Sequence, residues 1–218
     1  MIVVAGITKR LIEYNFTADS NKPEYIVVHD TGNRDVGANA IMHYNYFNVK
    51  GRKASAHFFV DDSHIIQCIE VKDSAWHCGD GWGSRGITNN NSIGVEMCIN
   101  RDGNYAKAFD NTANLVAYLM KQYNIGIDKV VRHYDASGKN CPQTMNNNGD
   151  WTAWNCFKNL LKGRGSIMAE VDPIYRGNVD IVAQILGLNS PEYWYNHADK
   201  NVHTLITLMA DYIRAQGM

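Results

Sequence analysis

The sequence predicts an α/β fold: a central mixed β-sheet flanked by helices, followed by a small all-helical C-terminal segment. Three observations carry this expectation. Short β-branched and aromatic runs alternate with stretches of helical periodicity through residues 1–163. Turn-forming residues separate them at short intervals. From about Gly163 onward helical patterns continue without a strand. At 218 residues the chain is long enough for one domain of common size with a buried core and a small second one.

The elements follow in order. "EYIVVHDT", from Glu24 to Thr31, is a buried strand that delivers His29 near its tip. "GANAIMHYNYFNVKG" reads as a helix capped near Asp35 and stopped by Gly51. In "SAHFFVDDSHIIQCIE", two apolar runs flank Asp61, Asp62 and Ser63, which predicts a hairpin. "AWHCGDGWGSRGITNNN" is too rich in Gly and Asn for a regular element and too aromatic for a plain linker. "SIGVEMCI" and "KVVRHYD" are two further strands. Between them Phe109, Ala113, Val116, Ala117 and Met120 recur at helical spacing. "DWTAWNCFKNLLKG" is a helix with Asp150 as N-cap and Gly163 as its stop. Residues 1–163 thus form one domain, and 164–177, with Pro173 and Gly177, a linker. Residues 178–218 form three short amphipathic helical segments. These helices are expected to dock or to form a homodimer through Leu205, Leu208, Met209 and Ile213.

Composition narrows the partners. The formal net charge is −1, so no global basic field points to nucleic acid. No apolar run approaches the roughly 18 residues of a membrane span. "MIVVAGITKR" places its charges after the apolar run, the reverse of a secretory signal, so synthesis and folding in the cytoplasm are expected. Five cysteines at irregular spacing predict reduced thiols rather than a disulfide framework.

His29 ends the first strand, His133 lies near the end of the last, and Cys141 follows after a loop. Two imidazoles and a thiolate make a three-ligand set that leaves a fourth tetrahedral zinc position open. The same residues also read as a surface histidine, a satisfied buried histidine and an inert thiol. Lys139 stands two residues before Cys141, where its charge is expected to depress the thiol pKa. Glu96 is the one carboxylate inside an apolar strand, a costly placement unless it is paired or functional.

"VVHDT", "SAHFFVDD", "AWHCG", "NNSIGVEMC" and "RHYDASGKNCP" occur in an order and spacing that resemble the zinc-dependent N-acetylmuramoyl-L-alanine amidases of the type-2 family. That family includes phage endolysins and peptidoglycan recognition proteins, and the resemblance covers about residues 1–163. Lytic enzymes often pair a catalytic domain with a wall-binding one, which implies wall binding through the aromatic "SPEYWYNH" as the alternative role of residues 178–218. It implies Zn2+ held by His29, His133 and Cys141, with Glu96 as general acid and base and Lys139 as transition-state stabiliser. The implied reaction is hydrolysis of the amide between N-acetylmuramic acid and L-alanine in peptidoglycan, by a phage endolysin or bacterial autolysin that reaches the wall after release. Several family members carry a tyrosine where this chain has Ala56, which leaves the proton work to Glu96. Trp76 and His77 are expected to line the groove, Trp82 to stack on sugar or peptide, and Thr31 and Asn91 to bind substrate or orient a ligand. His43 and His57 read as structural. Two other functions share the scaffold: a non-catalytic sensor of wall fragments, against which Cys141 argues, and an amidase recycling soluble muropeptides.

Overall fold

The structure is a computed structural model that describes residues 6–146 and 149–167, the last five by backbone alone. The chain divides into two units, Met1–Leu161 and Lys162–Met218. The expectations for residues 178–218 and for most of the linker lie outside the described residues.

The first unit is built on a mixed sheet. Its strands are β1 (Ile7–Lys9), β3 (Tyr25–Asp30), β4 (Phe58–Val60), β5 (Ile65–Gln67), β7 (Ser92–Met97) and β8 (Val130–Arg132), in the order β1-β5-β4-β7-β3-β8. The β4–β5 hairpin is antiparallel and every other pairing is parallel. A separate antiparallel pair joins β2 (Phe16–Thr17) to β6 (Ser74–Ala75). The sequence reading missed β1, β2 and β6, which are too short to show a period.

Strand alternation sorts the two faces of the sheet. In β7, Ile93, Val95 and Met97 point into the main core with Ile26 and Val28 of β3. Helix α2 (Tyr105–Gln122) packs there through Leu115, Val116 and Leu119, and α4 (Thr152–Ile167) through Phe157 and Leu161. Ser92, Gly94 and Glu96 alternate to the opposite face, where His29 stands in register with Glu96. Helix α1 (Ala40–Phe47) covers the far part of that face over Phe59, Ile66 and Cys68. The ends of β3 and β7 are left to loops, and there the site forms. Among the described residues no helix is long and apolar enough to cross a membrane.

Three boundaries differ from expectation. Helix α1 is capped by Asn39, whose side chain accepts from the Met42 N–H, because Gly37 in the left-handed region (φ 80°) keeps Asp35 outside the helix. The α4 helix runs past Gly163 to Ile167, although Asp150 does accept from the Thr152 N–H at 2.9 Å. His133 is the first residue of a short helix, α3 (His133–Ser137), rather than the tip of β8, since Asp135 bonds back to the Arg132 backbone N–H and starts a turn.

Candidate metal centre

Three donors converge where β3 meets α3. One ligand atom from each of His29, His133 and Cys141 lies within 4.8 Å of the others, and all three side chains are buried. Cys141 Sγ is 3.7 Å from His29 Nδ1. His133 comes in from the start of α3, and its ring meets His29 edge-on with centroids 4.6 Å apart. Among the described residues, His133 Nδ1 is buried with no hydrogen-bond partner. An orphaned imidazole nitrogen beside a second imidazole and a thiol is costly without an acceptor of its lone pair. The donor set N, N, S and its open side fit zinc.

The outer nitrogens of both rings are held. His133 Nε2 donates to Asp80 Oδ1 at 2.7 Å. Asp80 is brought there because Gly81 lies flat on α3: a Cβ at Gly81 would meet the Ala136 carbonyl oxygen at 2.4 Å. His29 Nε2 is 3.0 Å from His77 Nδ1, and His77 Nε2 is 3.2 Å from Ser92 Oγ. Gly94 makes room for the His77 ring, whose Cγ would sit 2.6 Å from a Cβ there. Asp80, Ser92 and Gly94 were not found from sequence, because a lone Asp, Ser or Gly in these motifs carries no pattern that names its partner.

Electrostatics set the protonation of these donors. Burial holds the His29 imidazole well below its ordinary pKa, and His77 and His133 add to this. Burial pushes the Cys141 thiol far up, with Glu96 and Asp30 adding to it. Lys139 does pull the thiol down, as expected from sequence, but desolvation and the two carboxylates outweigh it. The thiol therefore needs a cation to ionise. Glu96 Oε1 is 3.9 Å from His29 Nδ1, and its Oε2 is buried without a partner among the described residues. Burial, then the neighbouring Asp30 charge, push the Glu96 carboxyl up to about 8, against the pull of Lys139. Asp30 is itself fixed, accepting from Thr144 N–H at 2.7 Å and Thr144 Oγ at 2.8 Å.

These groups line a cleft of about 280 Å³ that contains His29, Thr31, Trp76, His77, Glu96, His133, Lys139 and Cys141. A second cleft of about 270 Å³ adjoins it past Trp76, His77 and Lys139, toward Lys53, Asp80 and Asn89. At the first cleft Thr31 Oγ1 is buried without a partner among the described residues, and Trp76 anchors its indole N–H on Thr17 Oγ1 at 3.1 Å.

Two expected substrate contacts stand elsewhere. Asn91 folds its own loop, its Oδ1 accepting from Thr88 and its amide donating to the Gly86 carbonyl, and it lines neither cleft. Trp82 is 93% exposed on a left-handed backbone and also lines neither cleft. Ala56 is buried in the core under α1 and lines neither cleft. His57 is structural: Nε2 donates to the Asp73 carbonyl at 3.0 Å and Nδ1 accepts from Gly94 N–H at 2.9 Å. His43 is on the buried side of α1, its Nδ1 2.8 Å from the Asn39 carbonyl.

A family model described as N-acetylmuramoyl-L-alanine amidase matches residues 19–144. The N-acetylmuramoyl-L-alanine amidase CwlH of Bacillus subtilis (strain 168) is 37% identical over 169 residues, spanning 78% of this chain and 63% of its own. The N-acetylmuramoyl-L-alanine amidase XlyA of the same organism is 42% identical over 144 residues, 66% of this chain and 46% of its own. The chain thus spans between about half and two thirds of the length of these curated relatives. Among solved structures, the catalytic domain of XlyA matches with a TM-score of 0.64 at 37% identity, over 71% of this chain and 98% of that one.

Proposed function

Because this chain belongs to the N-acetylmuramoyl-L-alanine amidase family, we propose that it is a zinc-dependent hydrolase of the amide between N-acetylmuramic acid and L-alanine in peptidoglycan, acting as an endolysin or autolysin. The observation that carries this reading is the meeting of His29, His133 and Cys141 within 4.8 Å at the floor of a cleft that also holds Glu96.

Those three side chains would hold the zinc, which would supply a Lewis acid to polarise the amide carbonyl and lower the pKa of water to roughly 7. The remaining work belongs to the chain's own residues. Glu96 takes a proton from the attacking water and returns it to the departing alanine nitrogen as the carbon–nitrogen bond breaks. Its side chain lines the cleft with Oε1 3.9 Å from His29 Nδ1, which suits that exchange. Lys139, on the cleft wall, donates to the oxygen that becomes anionic when the carbonyl is attacked. Trp76 and Thr31, both on the cleft lining, hold the substrate against the wall. Trp82, exposed beside the site loop, stacks on glycan outside the cleft.

Metal analysis of purified protein, wild type beside His29→Ala, tests the site, and release of new alanine amino termini from peptidoglycan tests the reaction. One zinc per chain, lost in the variant together with turnover, supports the reading; wall binding without any amine release would favour a non-catalytic sensor.

A further inference from the structure

His77 lines the cleft, yet both of its ring nitrogens are turned away from it. Nδ1 meets His29 Nε2 at 3.0 Å, and Nε2 meets Ser92 Oγ at 3.2 Å. The Ser92 hydroxyl in turn lies 2.5 Å from the Thr88 carbonyl oxygen. A carbonyl oxygen can only accept, so the single Ser92 proton points at Thr88 and Ser92 must accept from His77. His77 is thereby protonated on Nε2 and bare on Nδ1, and its Nδ1 must accept from His29 Nε2–H. Each step is forced by the one before it. The chain ends with the lone pair of His29 Nδ1 facing Cys141 Sγ at 3.7 Å.

We infer that His77 and Ser92 are positioning residues that lock His29 in the Nε2–H tautomer and aim its Nδ1 lone pair at the metal. The inference rests on the zinc reading of the three-donor site and extends it to residues that do not themselves ligate the ion. Zinc-bound imidazoles ordinarily lean on a carboxylate or a carbonyl, and His133 does so through Asp80, which is 48% exposed. His29 lies deeper, beside Cys141, Glu96 and Asp30, where another buried anion would be hard to accommodate. A neutral relay fixes the tautomer there without adding charge. Backbone contacts brace the relay at its start, because Asn89 Oδ1 accepts from both the His77 and the Cys78 N–H.

The test compares wild type, His77→Ala, His77→Asn and Ser92→Ala in the full chain. Long-range 1H–15N spectra of the metal-free protein read the His29 tautomer, chelator competition reads zinc affinity, and amine release at saturating zinc reads turnover. Wild type should show His29 protonated on Nε2 alone. His77→Ala should mix the tautomers and weaken zinc by about 10- to 100-fold. His77→Asn, which keeps an acceptor where Nδ1 stands, should recover most of that loss. Turnover at saturating zinc should stay near wild type in Ser92→Ala, whose side chain lines neither cleft. Ser92→Ala removes one oxygen from the same chain; mixed His29 tautomers in it support the relay even if His77→Ala does not fold. Unchanged tautomer and zinc affinity in the variants overturn the inference alone. So does turnover of Ser92→Ala that stays low at saturating zinc. A wild-type protein that takes up no zinc overturns the metal reading and this inference with it.

Discussion

Replacing Gly94 with alanine tests how closely the site depends on the seat of one ring. A Cβ at Gly94 falls 2.6 Å from His77 Cγ, 2.8 Å from Cδ2 and 2.9 Å from Nδ1. Carbon atoms rest at about 3.5–4.0 Å, so the ring must retreat by roughly 1 Å. The bonds it makes to His29 and Ser92 measure 3.0 and 3.2 Å, and a retreat of that size takes both outside hydrogen-bonding range. Overpacking typically costs about 1–3 kcal/mol, and a buried polar group left unsatisfied costs about 1–3 kcal/mol more. A combined loss of about 2–6 kcal/mol lowers the melting temperature of a domain this size by roughly 4–24 °C. Thermal unfolding followed by circular dichroism, with and without zinc, measures the loss, and chelator competition measures zinc affinity in the same samples. A variant that melts within about 1 °C of wild type and binds zinc as tightly would refute the packing argument.

Four other outcomes are expected. Burial holds the fully enclosed His57 imidazole at about 4 in the folded protein, against roughly 6.5 when unfolded. Above the unfolded value both states are neutral there; as pH falls toward 4 only the unfolded chain gains the proton, so stability drops by about 3 kcal/mol in all. Urea titrations from pH 7 to 4 should show that dependence shrink in His57→Gln by close to one proton, and identical slopes would contradict it. Glu96→Gln should keep zinc and lose about 100- to 10,000-fold in amine release; lysis at wild-type rate would remove Glu96 from the reaction. Lys139→Ala should cost on the order of 100-fold in turnover with zinc retained, and a loss of zinc instead would give the lysine a different role. Phe157 is fully buried, stacked on Trp154 with ring centroids 5.5 Å apart and edge-on to Phe109, so Phe157→Ala should cost about 3–5 kcal/mol in urea unfolding.

Much of the fold was legible because its signals are local. The β-branched run at 26–28 and the helical spacing of Ala113 and Val116 record which side of each element meets the core. Helix ends were read less well. Asp35 and Asn39 are both good caps, and only the left-handed turn at Gly37 decides between them. The irregular "AWHCGDGWGSRGITNNN" hid its path, since its conformation follows from what it lies against: Gly81 on α3, and His77 on Gly94.

The amino-acid sequence by itself determined the α/β class, the order of the main strands and helices, and the residues that could serve as two imidazole donors, a thiol and a carboxylate. Tertiary structure alone decided that these donors meet, and which neighbours hold them. The pairings His133 with Asp80 and His29 with His77 bridge 53 and 48 residues. It also turned the balance at Cys141, where desolvation outweighs the lysine two residues away, and moved Trp82 and Asn91 off the cleft. The physical reason is range: periodicity and turn chemistry act over a few neighbours along the chain, whereas hydrogen bonding, burial and charge act through space between segments that only the folded sheet brings side by side.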